Sequence, residues 1–299
     1  MPQPAPPSAA ATDEFPARSP HHLPRATFNQ LFNLSRQQRW LEKRQEQLSD
    51  LFDLCIDGEE QELVLDLLYR FFSVNSDELP AVMEQCAEFC LKALGAEPTS
   101  TIFVAPERSS YADSSQAILW YMKAALGKFD GWNTTKFVSR LGDAPKHAPS
   151  DGLIVLIEEF VGSGTTATKH AVWLRKRLEE QNIKSRIHVL ALTAMQESAR
   201  RLTAESIEHH AMQWLSRGIS DHFSGAELER AIRVMERIET RLCDKSDDGR
   251  LRDMYFGYKR SEALYFFDGG NGANNVFPIF WWKWLKPRIR RRPLIDRAQ

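Results

Sequence analysis

The sequence predicts an α/β fold with a mostly parallel sheet and an N-terminal helical extension. Three observations carry this reading. From Thr101 onward, short apolar runs alternate with amphipathic stretches, as in strand–helix–strand units joined by right-handed crossovers. The run Leu153-Ile-Val-Leu-Ile157 is apolar at every position, as in a parallel strand covered on both faces. Residues 25–97 instead carry their apolar side chains at helical spacing.

Taken in order, residues 1–24 are rich in Pro, Ala and Ser without apolar periodicity, which reads as a disordered tail. The extension, 25–97, begins with Phe28, Leu31, Phe32 and Leu34 on one face, continued by Trp40, Leu41, Leu48, Leu51, Phe52 and Leu54. Gly58 breaks it before an apolar helix, 61–72. A third helix opens at Ser76-Asp77 and stops at Gly95, with Pro98 beyond. Packing on the sheet and contact with a partner are both open roles for this extension. The α/β domain, 98–285, offers a strand at 101–105, a small polar loop at 106–115 and a helix at 116–128. Strands follow at 135–139, 153–157 and 186–193, with a helix at 166–181 between the last two. Residues 197–217 read as mixed, and Ser224 caps a helix over 225–243. A charged loop at 244–252, a strand at 262–267, a Gly/Asn-rich loop and an aromatic run, Phe280 to Trp284, complete the domain before a basic tail, 286–299.

A chain of 299 residues with 42% hydrophobic and 26% charged side chains fits a globular protein with a substantial core. A net charge of −1 gives no global attraction for nucleic acid. Four cysteines without paired metal spacing predict reduced thiols in a cytoplasmic protein. No apolar run has membrane-spanning length, and the first residues lack a signal-peptide pattern.

Chemistry concentrates after the apolar strand. Glu158 and Glu159 stand at its C-terminal end, where open α/β sheets bind ligands. Gly162, Ser163, Gly164, Thr165 and Thr166 then place backbone N–H groups and hydroxyls at a helix start, which suits a phosphate. Carboxylates repel phosphate, so their expected partners are sugar hydroxyls or a metal ion. The alternative is a strand-to-helix turn punctuated by Gly and Thr. Ser109, Ser110, Asp113, Ser114 and Ser115 form a second small polar loop before a helix, either an anion site or a capped turn, with Arg108 as its nearest cation. Asn271, Asn274 and Asn275 offer hydrogen bonds to a base or a partner. The cations Lys283, Lys286, Arg288, Arg290, Arg291, Arg292 and Arg297, beside tryptophans, read either as a single-stranded nucleic-acid binder or as a solvated tail. No general base is named by the sequence.

The order strand, acidic pair, two variable residues and small-residue loop resembles the phosphoribosyl diphosphate motif of type I phosphoribosyltransferases. Both acids here are Glu, where that family usually has at least one Asp, and Ser163 stands where Thr is commoner. The resemblance implies a sheet of the type I phosphoribosyltransferase kind. It implies that Glu158 and Glu159 hold the ribose hydroxyls, that 162–166 hold the 5′-phosphate, and that the loop after the first strand contacts the pyrophosphate. It further implies a Mg²⁺ ion carried on the diphosphate. Phe-Val-Ala-Pro106, Ala-Asp-Ser-Ser115, Glu-Glu-Phe-Val-Gly-Ser-Gly-Thr165 and Asn-Asn-x-x-Pro-Ile-Phe-Trp-Trp282 together resemble the phosphoribosyltransferase-like proteins of bacterial conflict systems. Such proteins are associated with anti-phage loci, including some retrons, beside a reverse transcriptase and a winged helix-turn-helix protein. That resemblance implies a cytoplasmic effector, with those proteins and retron RNA or DNA as partners and no membrane. It leaves oligomer formation open. Two function classes follow: an enzyme that binds phosphoribosyl diphosphate or a nucleotide and acts at ribose C1, or an inactive nucleotide-sensing or structural subunit.

Overall fold

Strands that are apolar at every position must be covered on both faces, and that requirement organises the molecule. The computed structural model describes residues 25–107, 114–133, 136–247 and 249–297. The segment 1–24, read from sequence as a disordered tail, lies outside the described residues. The extension supplies α1 (Arg25–Gln37), α2 (Gln45–Asp53), α3 (Gly58–Tyr69), a short strand β1 (Phe72–Val74) and α4 (Leu79–Lys92). Asp57 caps α3 by accepting the Glu60 amide at 2.9 Å.

The α/β region runs β2 (Thr101–Val104), α5 (Ser114–Leu126), β3 (Phe137–Val138), α6 (Ala144–His147), β4 (Leu153–Val161), α7 (Thr165–Glu180), β5 (Arg186–Met195), α8 (Gln196–Ala204) and β6 (Glu208–Leu215). Five parallel strands pair in the order β3-β2-β4-β5-β6. The chain leaves β2 toward β3 on one side, then returns to build β4, β5 and β6 on the other. This reversal makes the gap between β2 and β4 a topological switch point, whose C-terminal edge is where such sheets bind ligands.

Side chains alternate along β4. Leu153, Val155 and Ile157 join the core formed with the extension and α5, whereas Ile154 and Leu156 join the core under α7 and α8. By the same alternation Glu158 falls on the α7 side and Glu159 on the extension side.

The remainder comprises α9 (Gly225–Glu239), a hairpin of β7 (Lys245–Ser246) and β8 (Gly249–Arg250), β9 (Tyr265–Phe267), and a second hairpin of β10 (Trp284–Leu285) and β11 (Ile289–Arg290). The structure corrects the sequence reading in several places. The mixed segment after Glu197 resolves into α8 and an edge strand, β6, whose half-exposed residues blunt its apolar signal. His209 and His210 lie on β6, and His210 stacks on Phe89 with ring centroids 4.0 Å apart. The predicted strand at 262–267 shortens to β9 and leaves the main sheet, pairing instead with β1.

Residues 286–297 are built into the fold rather than trailing from it. Arg291 is buried, donating through Nε to the Trp282 carbonyl at 2.8 Å and through its guanidinium to the Ile279 carbonyl. Its burial lowers its pKa to about 10. Arg292 reaches Asp50 of α2 at 3.0 Å, and Leu294 and Ile295 are buried. Phe280, Trp281 and Trp282 are fully enclosed, so these aromatic rings serve the core. Among the described residues, no helix is long and apolar enough to cross a membrane.

Candidate functional site

The β4–α7 junction is shaped by glycines that have no room for a side chain. Gly164 adopts φ +72°, the left-handed conformation glycine tolerates, and is the N-cap of α7. A glycine cannot cap through a side chain, so the amides of Thr165, Thr166 and Ala167 have neither a side-chain cap nor an acceptor within the helix. The first helical bond of this turn is Thr168 N–H to the Gly164 carbonyl, 2.9 Å. Three amides and the positive end of a 16-residue helix thus face the sheet edge. Ser163 Oγ and Thr165 Oγ1 lie 3.1 Å apart, so the two hydroxyls sit together at the start of α7.

Two cations from different elements meet this loop. Arg201 of α8 donates from Nε to the Ser163 carbonyl at 3.0 Å. Lys259 donates from Nζ to Thr165 Oγ1 at 2.8 Å. Gly162 is roofed by Asn275: a Cβ on Gly162 would meet the Asn275 amide group at 2.2 Å. Asn275 is held in turn by its Nδ2 bond to Ser261 Oγ, 2.9 Å. The Gly/Asn-rich loop singled out in the sequence therefore does reach the site, through Asn275.

The acidic pair divides as the alternation requires. Glu158 is half-buried on the α7 side. Glu159 is buried and accepts a hydrogen bond from the Tyr265 hydroxyl at 2.9 Å. Burial first, and then the neighbouring Glu159 charge, push the Tyr265 phenol well above its ordinary pKa. Tyr265 also stacks on Phe160, with centroids 4.5 Å apart and planes inclined by 10°. The structure thus separates two carboxylates that the resemblance assigns to one ribose: Glu158 lies half-buried on the α7 side, and Glu159 anchors β9 to β4.

Of the second loop, Arg108, Ser109, Ser110 and Asp113 lie outside the described residues. Ser114 and Ser115 form the first turn of α5, directly after β2 and across the switch point from the β4–α7 loop; Ser114 is half-buried and Ser115 buried. Sequence reasoning missed Lys259, Arg201 and Tyr265. All three come from distant chain segments, and no local motif flags them.

A protein-family model, PRTase-CE, matches residues 37–297. The chain belongs to the PRTase-CE family. No curated protein matches it. Membership makes this a phosphoribosyltransferase-like protein, in keeping with its five-stranded parallel sheet and with the loop that opens α7. The PRTase-CE match begins in the extension and ends beyond Ile295, so it takes in the helical preface and most of the basic C-terminal segment along with the sheet. That span agrees with the packing, because α2, α3, β1 and residues 276–295 share one core with β2, β4 and β5.

Proposed function

We propose that this chain binds phosphoribosyl diphosphate, or a nucleotide carrying the same ribose 5-phosphate, at the C-terminal edge of β4 and acts at ribose C1. The observation that carries the reading is the uncapped N-terminus of α7 beside Glu158, at the switch point of a phosphoribosyltransferase-like sheet. In this reading the amides and hydroxyls of Ser163, Thr165 and Thr166 take the 5′-phosphate, and Glu158 takes a ribose hydroxyl. Bond breaking at C1 develops oxocarbenium character, which an anionic neighbour stabilises electrostatically. Mg²⁺ would neutralise the diphosphate leaving group. Among the described residues no group of three or more His, Cys, Asp or Glu could hold a metal. An ion bound chiefly by phosphate oxygens and water would need little from the protein, with Glu158 as the side chain able to assist. The conflict-system resemblance extends the proposal to a cytoplasmic effector of anti-phage defence, working with a reverse transcriptase, a winged helix-turn-helix protein and retron nucleic acid.

A second reading, an inactive nucleotide sensor or structural subunit, is favoured by the commitment of Glu159 to Tyr265 and by the packing of Asn275 on Gly162. Calorimetric titration of phosphoribosyl diphosphate with Mg²⁺ into wild type and Glu158→Ala decides whether the pocket works. Binding that the substitution weakens supports the site, and product analysis with candidate bases then separates enzyme from sensor. A folded wild type that binds neither phosphoribosyl diphosphate nor nucleoside monophosphates sinks both ligand-binding readings. The defence role is tested by plaque counts on bacteria carrying the intact locus, with wild-type or Glu158→Ala protein; equal protection would remove this site from it.

A further inference from the structure

Several cations of the C-terminal third are held by carboxylates, and Lys259 is not one of them. Arg217 pairs with Asp221 at 2.7 Å, Arg230 with Glu59 at 2.5 Å, Lys286 with Asp244 at 2.9 Å and Arg292 with Asp50 at 3.0 Å. Among the described residues, no carboxylate lies within ion-pair distance of Lys259. Its ammonium group instead rests on the neutral hydroxyl of Thr165, the first residue of α7. A positive charge is thereby added to a helix end that is already positive, an arrangement that is unfavourable in itself and relieved by an anion.

The chain goes to some expense to put it there. Phe256, Lys259, Arg260 and Glu262 all have φ between +50° and +58°, although none is glycine. Each such residue costs about 1 kcal/mol or more, and such a run persists only where its surroundings over-determine it. Those surroundings are present. The buried Glu262 carboxylate accepts the amides of Ile219 and Ser220 at 2.8 and 2.7 Å. The buried Glu239 accepts the Phe256 amide at 3.2 Å, and Tyr258 N–H reaches the Asn274 carbonyl at 2.8 Å. The Arg260 guanidinium covers the Phe256 ring at 4.2 Å. The segment therefore aims Lys259 at the α7 N-terminus from a fixed base.

We infer that Lys259 is the cationic wall of the 5′-phosphate subsite, so that the site selects sugar 5-phosphates over neutral nucleosides. This rests on the ribose 5-phosphate reading of the site and adds a residue, Lys259, that the β4–α7 motif does not contain. In the bound state Nζ turns from Thr165 Oγ1 to a phosphate oxygen, and Thr165 Oγ–H becomes a second donor to the same group.

The test is calorimetry on the full-length protein with three probes: phosphoribosyl diphosphate with Mg²⁺, ribose 5-phosphate, and inorganic diphosphate with Mg²⁺. Lys259→Ala is expected to weaken both ribose phosphates about 10- to 100-fold, the range for one charge-assisted hydrogen bond, and to leave inorganic diphosphate unchanged. Lys259→Met retains the aliphatic stem and should show the same loss, whereas Lys259→Arg should recover most of the affinity. Unchanged thermal midpoints establish that the losses belong to the ligand. Equal ribose-phosphate affinity in wild type and Lys259→Ala overturns the assignment while leaving the pocket reading intact, as does a parallel loss on inorganic diphosphate. No binding of any ribose phosphate by folded wild type overturns the pocket reading and the Lys259 assignment together.

Discussion

The β4–α7 loop and the segment from Phe256 to Ile295 meet at one site by opposite means. The loop is local: five consecutive residues, 162–166, with the left-handed turn given to a glycine, Gly164. The later segment is non-local. It gives left-handed backbone to Phe256, Lys259, Arg260 and Glu262 and is held by bonds to residues far away in sequence, among them Ile219, Ser220 and Glu159. A site built half from each kind teaches that a glycine-turned, uncapped helix start can be encoded in one short motif. The Lys259 ammonium and the Asn275 side chain that meet it depend on the whole core being formed.

This contrast is most sharply broken by attacking the non-local half. Trp281→Ala removes a fully buried indole whose Nε1 donates to the Val276 carbonyl at 2.8 Å. It should cost about 3–5 kcal/mol in urea denaturation, near the whole stability of many domains. A cost below about 1 kcal/mol would show that the aromatic segment is not integral to the core.

Next comes the seam between the halves. Gly162→Ala drives a methyl group into Asn275 and should destabilise by about 1–3 kcal/mol while weakening ligand binding. Adding Asn275→Gly should restore much of both, since the clash is with that one side chain. Additive losses in the double-mutant cycle would place the strain elsewhere.

Tyr265→Phe should cost about 1–2 kcal/mol by leaving the buried Glu159 carboxylate without its phenol donor. It also changes the alkaline limb. The folded-state pKa of Tyr265 is raised above its ordinary value of 10, so the unfolded chain releases this proton first. Wild-type stability from this group is therefore complete below pH 10 and declines as pH rises beyond it. The variant should show a shallower decline in a pH series of denaturation midpoints.

The smallest effect is expected at the surface. Asp296→Asn removes an exposed partner of Arg44, 2.9 Å away, and should shift stability by no more than about 0.5 kcal/mol. A larger loss would mean that the last residues clamp α2 more firmly than an exposed ion pair allows.

The fold was legible where a local pattern had a single physical meaning. Leu153 to Ile157 can only be a covered strand once a Gly-rich turn and a helix follow it, and the structure extends that strand through Val161. Strand β6 was not legible, because this edge strand is half-exposed along most of its length and its polar residues mask the apolar ones. Strand alternation already divides the pair Glu158-Glu159 between two faces, but Tyr265 becomes the partner of Glu159 only through the β9–β4 contact.

The sequence by itself determined the parallel sheet, the glycine-rich turn between β4 and α7 and the place of the acidic pair at the end of β4, because each depends on side-chain periodicity or glycine conformation over a few residues. Only the tertiary structure decided that Arg291 is a core residue, that Asn275 roofs Gly162 and that Lys259 serves Thr165. Those outcomes join residues from 9 to 113 positions apart, and no local propensity records such a meeting.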